Sequence, residues 1–251
     1  MSTKSSVLSN LEMHKGEYIS GAELAEKCQV SRNAIWKAVN ELREEGYSIE
    51  SVNNKGYSLN VDSDIISEEG IKLYLASSLK KKKNASVEIS IYKDIDSTNS
   101  QAKRNLISED GIFSHGSVII ARRQSAGRGH DGSTFNSPDG GIYMSIILEP
   151  DKVKVGSSDV TQFIVEEVRN ALQSSMDISL TIKNKSRLYQ GRKKICGILT
   201  EGIVDMETDK YSNYIVGIGI LFDEIVTRKN VNKNMIISEI IKDIIGLKEF
   251  L

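Results

Sequence analysis

Cysteine is scarce in this 251-residue chain, which holds only Cys28 and Cys196. They lie far apart, each beside apolar residues. That spacing gives no disulfide framework and no metal site, and two buried thiols in a reducing compartment are the simplest reading. An excess of one charge is also missing. Lysine and arginine number 33 against 34 aspartate and glutamate, a formal net charge of −1. The chain is therefore no bulk binder of nucleic acid, and any such contact must come from a local patch. Residues 1–10 lack the apolar core of a secretory signal. No apolar run approaches the ~20 residues of a membrane-spanning helix. A cytoplasmic globular protein with no membrane partner is expected, long enough for one large domain or two smaller ones.

The first sixty residues carry the clearest architectural signal, "SGAELAEKCQVSRNAIWKAVNELREEGYSIESVNNKGYSL". Ser20 is placed to cap a short helix with Leu24, Ala25 and Cys28 on one face. Gln29 and Val30 make a tight turn. Ser31 then caps a second helix, whose apolar stripe is Ala34, Ile35, Ala38, Val39 and Leu42. Gly46 ends that helix, and two short strands follow around an Asn- and Gly-rich turn. Helix, turn, helix and hairpin make a winged helix-turn-helix, assigned to residues 1–62.

The second helix presents Arg32, Asn33, Lys37 and Asn40 away from its stripe, next to its cap Ser31. Arginine and asparagine bond base edges and lysine pairs with phosphate. Lys55 at the hairpin tip is expected to reach a neighbouring groove or the backbone. Trp36, the only tryptophan, is expected to pack where this helix meets the wing. A winged helix used only for protein contacts is the alternative. The absence of any acidic residue before Glu41 favours DNA. With so little excess positive charge, DNA binding needs two copies, a homodimer.

Residues 63–86 read as a linker containing a helix capped by Asp64 or Ser67 and ending near Leu75. The lysine run at residues 80–83 is a solvated connection or, less simply, a DNA-backbone contact. From about Val87 to residue 251 the pattern is α+β, with a mixed or mostly antiparallel sheet and helices on one side. The strands are "VEISIYKDI", "GSVIIARRQ", an alternating "GIYMSIIL", "ISLTIK", "KKICGILTEGIV" and "NYIVGIGILF". Helices follow Asp96-Ser97-Thr98-Asn99, run through "SDVTQFIVEEVRNALQSS" with Ser158 as its cap, and close the chain in "NMIISEIIKDIIGLKEFL".

One loop in this half has the composition of an anion site. In Gly127-Arg128-Gly129, glycines let backbone N–H groups approach an anion and arginine adds a charged fork. By itself such a loop is as often a plain turn. Ser97, Thr98 and Asn99 supply hydroxyl and amide groups suited to an uncharged polar head such as a ureido ring, and Gln124 precedes the loop. Lys183 and Lys194 are placed on neighbouring strands. Two lysines and a Gly/Arg loop suit phosphate and carboxylate, the groups joined in an acyl-adenylate.

The motifs "SRNAIWKAVNELREEGYSIESVNNKGYSL", "DSTN", "QSAGRG", "SPDGGIYMSIIL", "KKICGILTE" and "VGIGI", in this order, resemble the bifunctional biotin-protein ligases of the BirA type. The resemblance covers nearly the whole chain. It implies a winged helix joined to a biotin/lipoate ligase-like domain. In that family biotin binds beneath the glycine-rich loop, is joined to AMP from MgATP, and is passed to a lysine of a carboxyl-carrier protein. The repressor members dimerise when loaded and bind operator DNA. Position by position, the resemblance places Ser97, Thr98, Asn99 and Gln124 on biotin, Gly127, Arg128 and Gly129 in its loop, Lys194 on its carboxylate, and Gly197 on the pocket floor.

The departures lie on the nucleotide side. His130 and Phe135 stand where the resemblance leads one to expect an arginine that retains the adenylate and a tryptophan that covers it. The family's Lys-Trp-Pro-Asn-Asp signature reads Lys183-Asn184-Lys185-Ser186-Arg187, so Lys183 survives and Arg187 reverses an acidic charge. The Gly-Ile-Asn ending is Gly219-Ile220-Leu221. The sequence stops one helix later, so the family's small C-terminal β-barrel is not expected. Three functions follow. The first is a regulator that senses biotin or a related acid, with ATP and magnesium chemistry and transfer to a carrier protein degenerate. The second is a divergent active ligase using Lys183 and Lys194. The third is a regulator whose second domain only dimerises or binds another acid.

Overall fold

The computed structural model describes residues 2–78, 87–108, 113–153, 159–227 and 232–245. The chain folds as two compact units. One holds residues 1–80 with 232–235, and the other holds residues 81–231 with 236–251. The expected lysine run at 80–83 and the Ser158 cap lie outside the described residues.

The first unit begins with a helix that the sequence reading did not anticipate, α1 (Thr3–Met13), capped by Ser2. Its Val7, Leu8 and Leu11 are buried in one core with Leu24, Ile35, Val39, Leu42 and Leu59. α2 (Gly21–Cys28) is capped by Ser20, whose side chain accepts from the Glu23 N–H. At its end Gln29 turns left-handed (φ 54°), and the Val30 N–H closes the turn on the Ala25 carbonyl at 3.0 Å. α3 (Arg32–Glu44) is capped by Ser31. It stops at Gly46, whose φ of 98° is the left-handed conformation that glycine adopts without a Cβ penalty. The wing is β1 (Ile49–Val52) paired antiparallel with β2 (Gly56–Leu59), and Ile19 adds a bridge to Tyr57.

The helix expected in the linker is α4 (Glu68–Ser78). Ser67 caps it, accepting from the Gly70 N–H at 3.1 Å, while Asp64 accepts instead from the Lys233 N–H at 2.7 Å. Ile71 and Leu75 are buried and α4 packs on α1. That burial makes it part of the first unit instead of a free connection.

The second unit is a mixed sheet. It is built from β3 (Ile89–Ile95), β4 (Val118–Gln124), β5 (Ile142–Leu148), β6 (Thr181–Lys183), β7 (Arg187–Gln190), β8 (Lys193–Asp205) and β9 (Lys210–Ile220), in the order β3-β4-β5-β9-β8-β7-β6. Only β3 and β4 run parallel; the other neighbouring pairs are antiparallel. Its α-helices are α5 (Thr98–Ile107), α6 (Val160–Met176) and, from Ile236 onward, α7 (Lys233–Ile244).

Two expectations are corrected here. The helices are not on one side. Glu201 bonds to Asn99 at the start of α5, whereas its neighbour Thr200 bonds to Thr161 at the start of α6. Successive strand residues point to opposite faces, so α5 and α6 cover opposite faces of the sheet. For the same reason β5, read as an alternating strand, is covered on both faces: all seven of its residues are buried. Among the described residues no helix is long and apolar enough to cross a membrane.

Candidate functional site

Strand register assembles the site on the face that α5 covers. Gly217 and Gly219 of β9 stand opposite Ser145 and Tyr143 of β5. On the other side they face Leu199 and Gly197 of β8. The three glycines leave a trough in the sheet, and the loop after β4 folds over it. That loop is pinned by the Phe135 N–H donating to the Gly127 carbonyl at 2.9 Å and by a bridge between Arg128 and Thr134.

Part of the lining of the resulting cavity is polar and uncharged, made by Ser97, Thr98, Asn99 and Gln124. Ser97 caps α5. Gln124 Oε1 accepts from the Thr98 N–H at 2.8 Å and from its hydroxyl at 3.1 Å, while Nε2 donates to Ser137 at 2.8 Å. Ser145, fully buried, lies 2.7 Å from Thr98 Oγ1 and 2.6 Å from Asn99 Oδ1. Behind Asn99, Glu201 accepts from Asn99 Nδ2 at 2.7 Å and from Lys103 Nζ at 2.6 Å. Burial opposes ionisation of Glu201. The hydrogen bonds from Lys103 and Asn99, with the charges of Lys103 and Arg128, outweigh it and hold its carboxyl below the usual range.

The lining also holds the neighbouring cations Arg187 and Lys194, with Arg128 besides, and no carboxylate. Burial lowers the Lys194 pKa, and the neighbouring charge of Arg187 lowers it further. A lysine desolvated in this way sheds its proton more readily and gains most from an anionic partner. Phe135 lines the cavity too. A Cβ at Gly219 would come within 2.5 Å of its ring, and one at Gly197 within 2.8 Å. Tyr143 meets the ring edge-on at 6.4 Å, and Lys194 Nζ lies 5.0 Å from its centroid. The remaining volume is about 60 Å³, well short of the ~300 Å³ of small-molecule pockets. Phe135 thus occupies the space above the glycines that a ring-sized ligand would need.

In the first unit, Arg32, Asn33 and Lys37 are exposed along α3. Beside Arg32, the start of α2 and the wing enclose a groove of about 340 Å³ with Ser20, Asn53 and Asn54 and no acidic residue in its lining. Lys55 stands at the wing tip, its Nζ 5.6 Å from the Tyr18 ring.

The description "Biotin/lipoate A/B protein ligase family" matches residues 92–220, and "HTH domain" matches residues 3–58. The chain belongs to the biotin/lipoate A/B protein ligase family. It is 33% identical over 205 residues to the bifunctional ligase/repressor BirA of Bacillus spizizenii, covering 81% of this chain and 60% of that protein. With BirA of Escherichia coli the identity is 30% over 209 residues, covering 82% and 60%. The chain thus spans about 60% of the length of these curated relatives. The biotin protein ligase of Aquifex aeolicus in complex with biotin and ATP is similar at a TM-score of 0.50 and 26% identity, over 62% of this chain and 68% of that one. The biotin acetyl coenzyme A carboxylase synthetase of Helicobacter pylori shares the fold, at a TM-score of 0.53 and 19% identity over 66% and 76%.

Against the family expectations, the structure gathers Ser97, Thr98, Asn99, Gln124, Arg128, Gly129, Lys194 and Gly197 around one cavity. It does not bring Lys183 there. Strand β7 lies between β6 and β8, so Lys183 and Lys194 are not on neighbouring strands, and Lys183 Nζ stacks 4.5 Å over the Tyr189 ring instead. Arg187, regarded from sequence mainly as a lost acid, lies opposite Gly197 and lines the cavity.

The glycines of the loop also act differently from the expectation. Gly127 is outside the lining, packed where a Cβ would meet the Phe135 carbonyl at 2.4 Å. The Gly129 N–H is already given to the Ser133 carbonyl at 2.7 Å. Gly129 therefore offers no free N–H to an anion in this arrangement, and Gly127 lies outside the cavity lining.

In the first unit, Trp36 is not packed at the wing. It is 54% exposed, because it sits about 100° around the helix from Ile35. Asn40 is half-buried and accepts a long 3.5 Å hydrogen bond from Arg43, and the Ser31 hydroxyl is engaged as the α3 cap.

Sequence reasoning missed Ser145, Ser137 and Glu201. Their positions were legible only as in-facing residues of strands and of the segment before β5. The family implies magnesium with ATP. The cavity's donor set does not suit that metal, which takes oxygen ligands with carboxylates among them. The lining offers cations instead, and no cluster of three His, Cys, Asp or Glu occurs among the described residues.

Proposed function

We propose that this chain is a DNA-binding transcriptional regulator whose ligase-like unit senses biotin or a related small acid, with ligation impaired. The observation that carries this reading is the polarity of the cavity. It joins the uncharged hydroxyl–amide residues to the adjacent cations Arg187 and Lys194, with Arg128 also in the lining and no carboxylate among the lining residues. An acid with an uncharged polar head fits that lining. The carboxylate would meet Lys194 and Arg187, whose mutual repulsion it relieves. Such a wall can bind phosphate oxygens, but it offers a magnesium ion no carboxylate ligand.

The winged helix supplies the output. Arg32, Asn33 and Lys37 suit base edges and phosphates, with Lys55 on the backbone. A near-neutral chain reaches useful affinity by presenting two such helices, which favours a homodimer on a two-fold operator. An active biotin-[carboxyl-carrier protein] ligase that makes biotinyl-AMP and represses the biotin operon is the second reading. It is favoured by the retained, desolvated Lys194. Operator binding measured with and without biotin tests the proposal. A ligand-dependent change in affinity is expected, and identical affinity in both states would overturn the sensing role.

A further inference from the structure

The amide of Asn99 is held between a charged group and a hydroxyl. Nδ2 lies 2.7 Å from the Glu201 carboxylate, and Oδ1 lies 2.6 Å from the Ser145 hydroxyl. A carboxylate only accepts, so the NH2 end must face Glu201 and the carbonyl end must face Ser145. The Glu201 charge is maintained by Lys103. Asn99 also lies so close to Gly217 that a Cβ there would stand 2.4 Å from Oδ1, and Gly217 lines the cavity. The acceptor end of the amide is therefore turned to the cavity side.

Three oxygen–oxygen contacts join Thr98 to Gln124, Ser145 to Thr98 and Ser145 to Asn99. Thr98 and Ser145 bring one hydroxyl hydrogen each, and Gln124 Oε1 and Asn99 Oδ1 bring none. The network is one hydrogen short. Asn99 Oδ1 therefore accepts at most one hydrogen within the network and keeps a lone pair for a ligand N–H.

We propose that Glu201, held by Lys103, is a positioning residue that fixes Asn99 with its acceptor toward the cavity, so that the site selects ligand heads bearing N–H donors. This rests on reading the cavity as an acid-binding site. Glu201 touches no ligand and acts through the orientation of Asn99. With glutamine at position 201 the facing group both donates and accepts, and the orientation of Asn99 is no longer dictated.

The test uses the full chain and two acids, biotin, whose ureido head has two N–H groups, and lipoate, whose head has none. Glu201→Gln is expected to weaken biotin by about tenfold or more while leaving lipoate within about twofold. In nitrogen-resolved NMR of the ligand-free protein, the Asn99 side-chain amide should show an acid inflection below pH 4.5, the ordinary glutamate value. That inflection should vanish in Glu201→Gln and move up toward the ordinary value in Lys103→Met.

Equal loss for both acids, or no loss for biotin, overturns the inference, as does an inflection that persists in Glu201→Gln. If wild-type protein binds neither acid, the acid-binding reading fails. The Asn99 inflection still decides whether Glu201 sets the amide.

Discussion

Arg187 of β7 stands opposite Gly197 of β8, and both line the cavity into which Lys194 projects. Two cations on one wall, with no acid between them, store repulsion that an anionic ligand relieves. Arg187→Asp should therefore raise the Lys194 pKa toward its ordinary range and weaken binding of biotin by about tenfold to a hundredfold. Calorimetry checks the affinity. Unchanged affinity would mean that Arg187 points its charge away from the bound acid.

Phe135 fills the space above Gly197 and Gly219. If its displacement precedes binding, Phe135→Ala should speed ligand association by about tenfold, read by stopped flow. The ring is only partly buried, so its truncation should cost less than the ~3–5 kcal/mol of a core phenylalanine. Gly219→Ala pushes the other way. Its methyl forces the ring into the remaining volume, and biotin affinity should fall while the melting temperature moves by only a few degrees.

The recognition surface separates from the cavity in its mutants. Lys37→Ala should weaken operator binding evenly across sequences and reduce the salt slope by about one. Arg32→Ala should cost about 1–3 kcal/mol and relax the sequence preference. Biotin affinity should be unchanged in both. Gel-shift titrations at several salt concentrations read all three. Equal operator affinity in both variants would contradict the assignment of α3.

The Glu201 cluster fixes a pH dependence. Its folded carboxyl lies below the ordinary 4.5, so its contribution to stability is complete above that value and is lost as pH falls through the lower, folded one. The stability difference between wild type and Glu201→Gln should be constant above about pH 5 and shrink steadily below. Asp96, held at about 2 by Arg104, adds a second acid limb common to both proteins. Denaturation midpoints across the acid range supply the measurement.

The parts of the fold legible in sequence were those with local causes. Ser20 and Ser31 announce their helices through caps, and Gly46 ends α3 because its φ requires it. Helix α1 was not legible. Its inward face mixes Val7, Leu8 and Leu11 with the buried Glu12, which blurs the apolar period. Strand β7 was hidden for a different reason. "RLYQ" is four residues among cations, and it is a strand only because Asn184 and Lys185 turn left-handed (φ 50° and 58°) and fold it back on β6. Missing that hairpin displaced Lys183 by one strand. The hydroxyl–amide residues near Ser97 were recognised, but Ser145 and Glu201 complete their network across about fifty and a hundred residues of chain, a separation no local pattern encodes.

A regulator of the proposed kind binds an acid without carrying it through nucleotide chemistry. The most direct measurement follows biotin bound to the purified chain, with and without MgATP, alongside its transfer to a biotin carboxyl-carrier domain. Biotin binding that does not require ATP is expected, together with little or no labelled carrier. Transfer of biotin to the carrier at the rate of an intact ligase would contradict it.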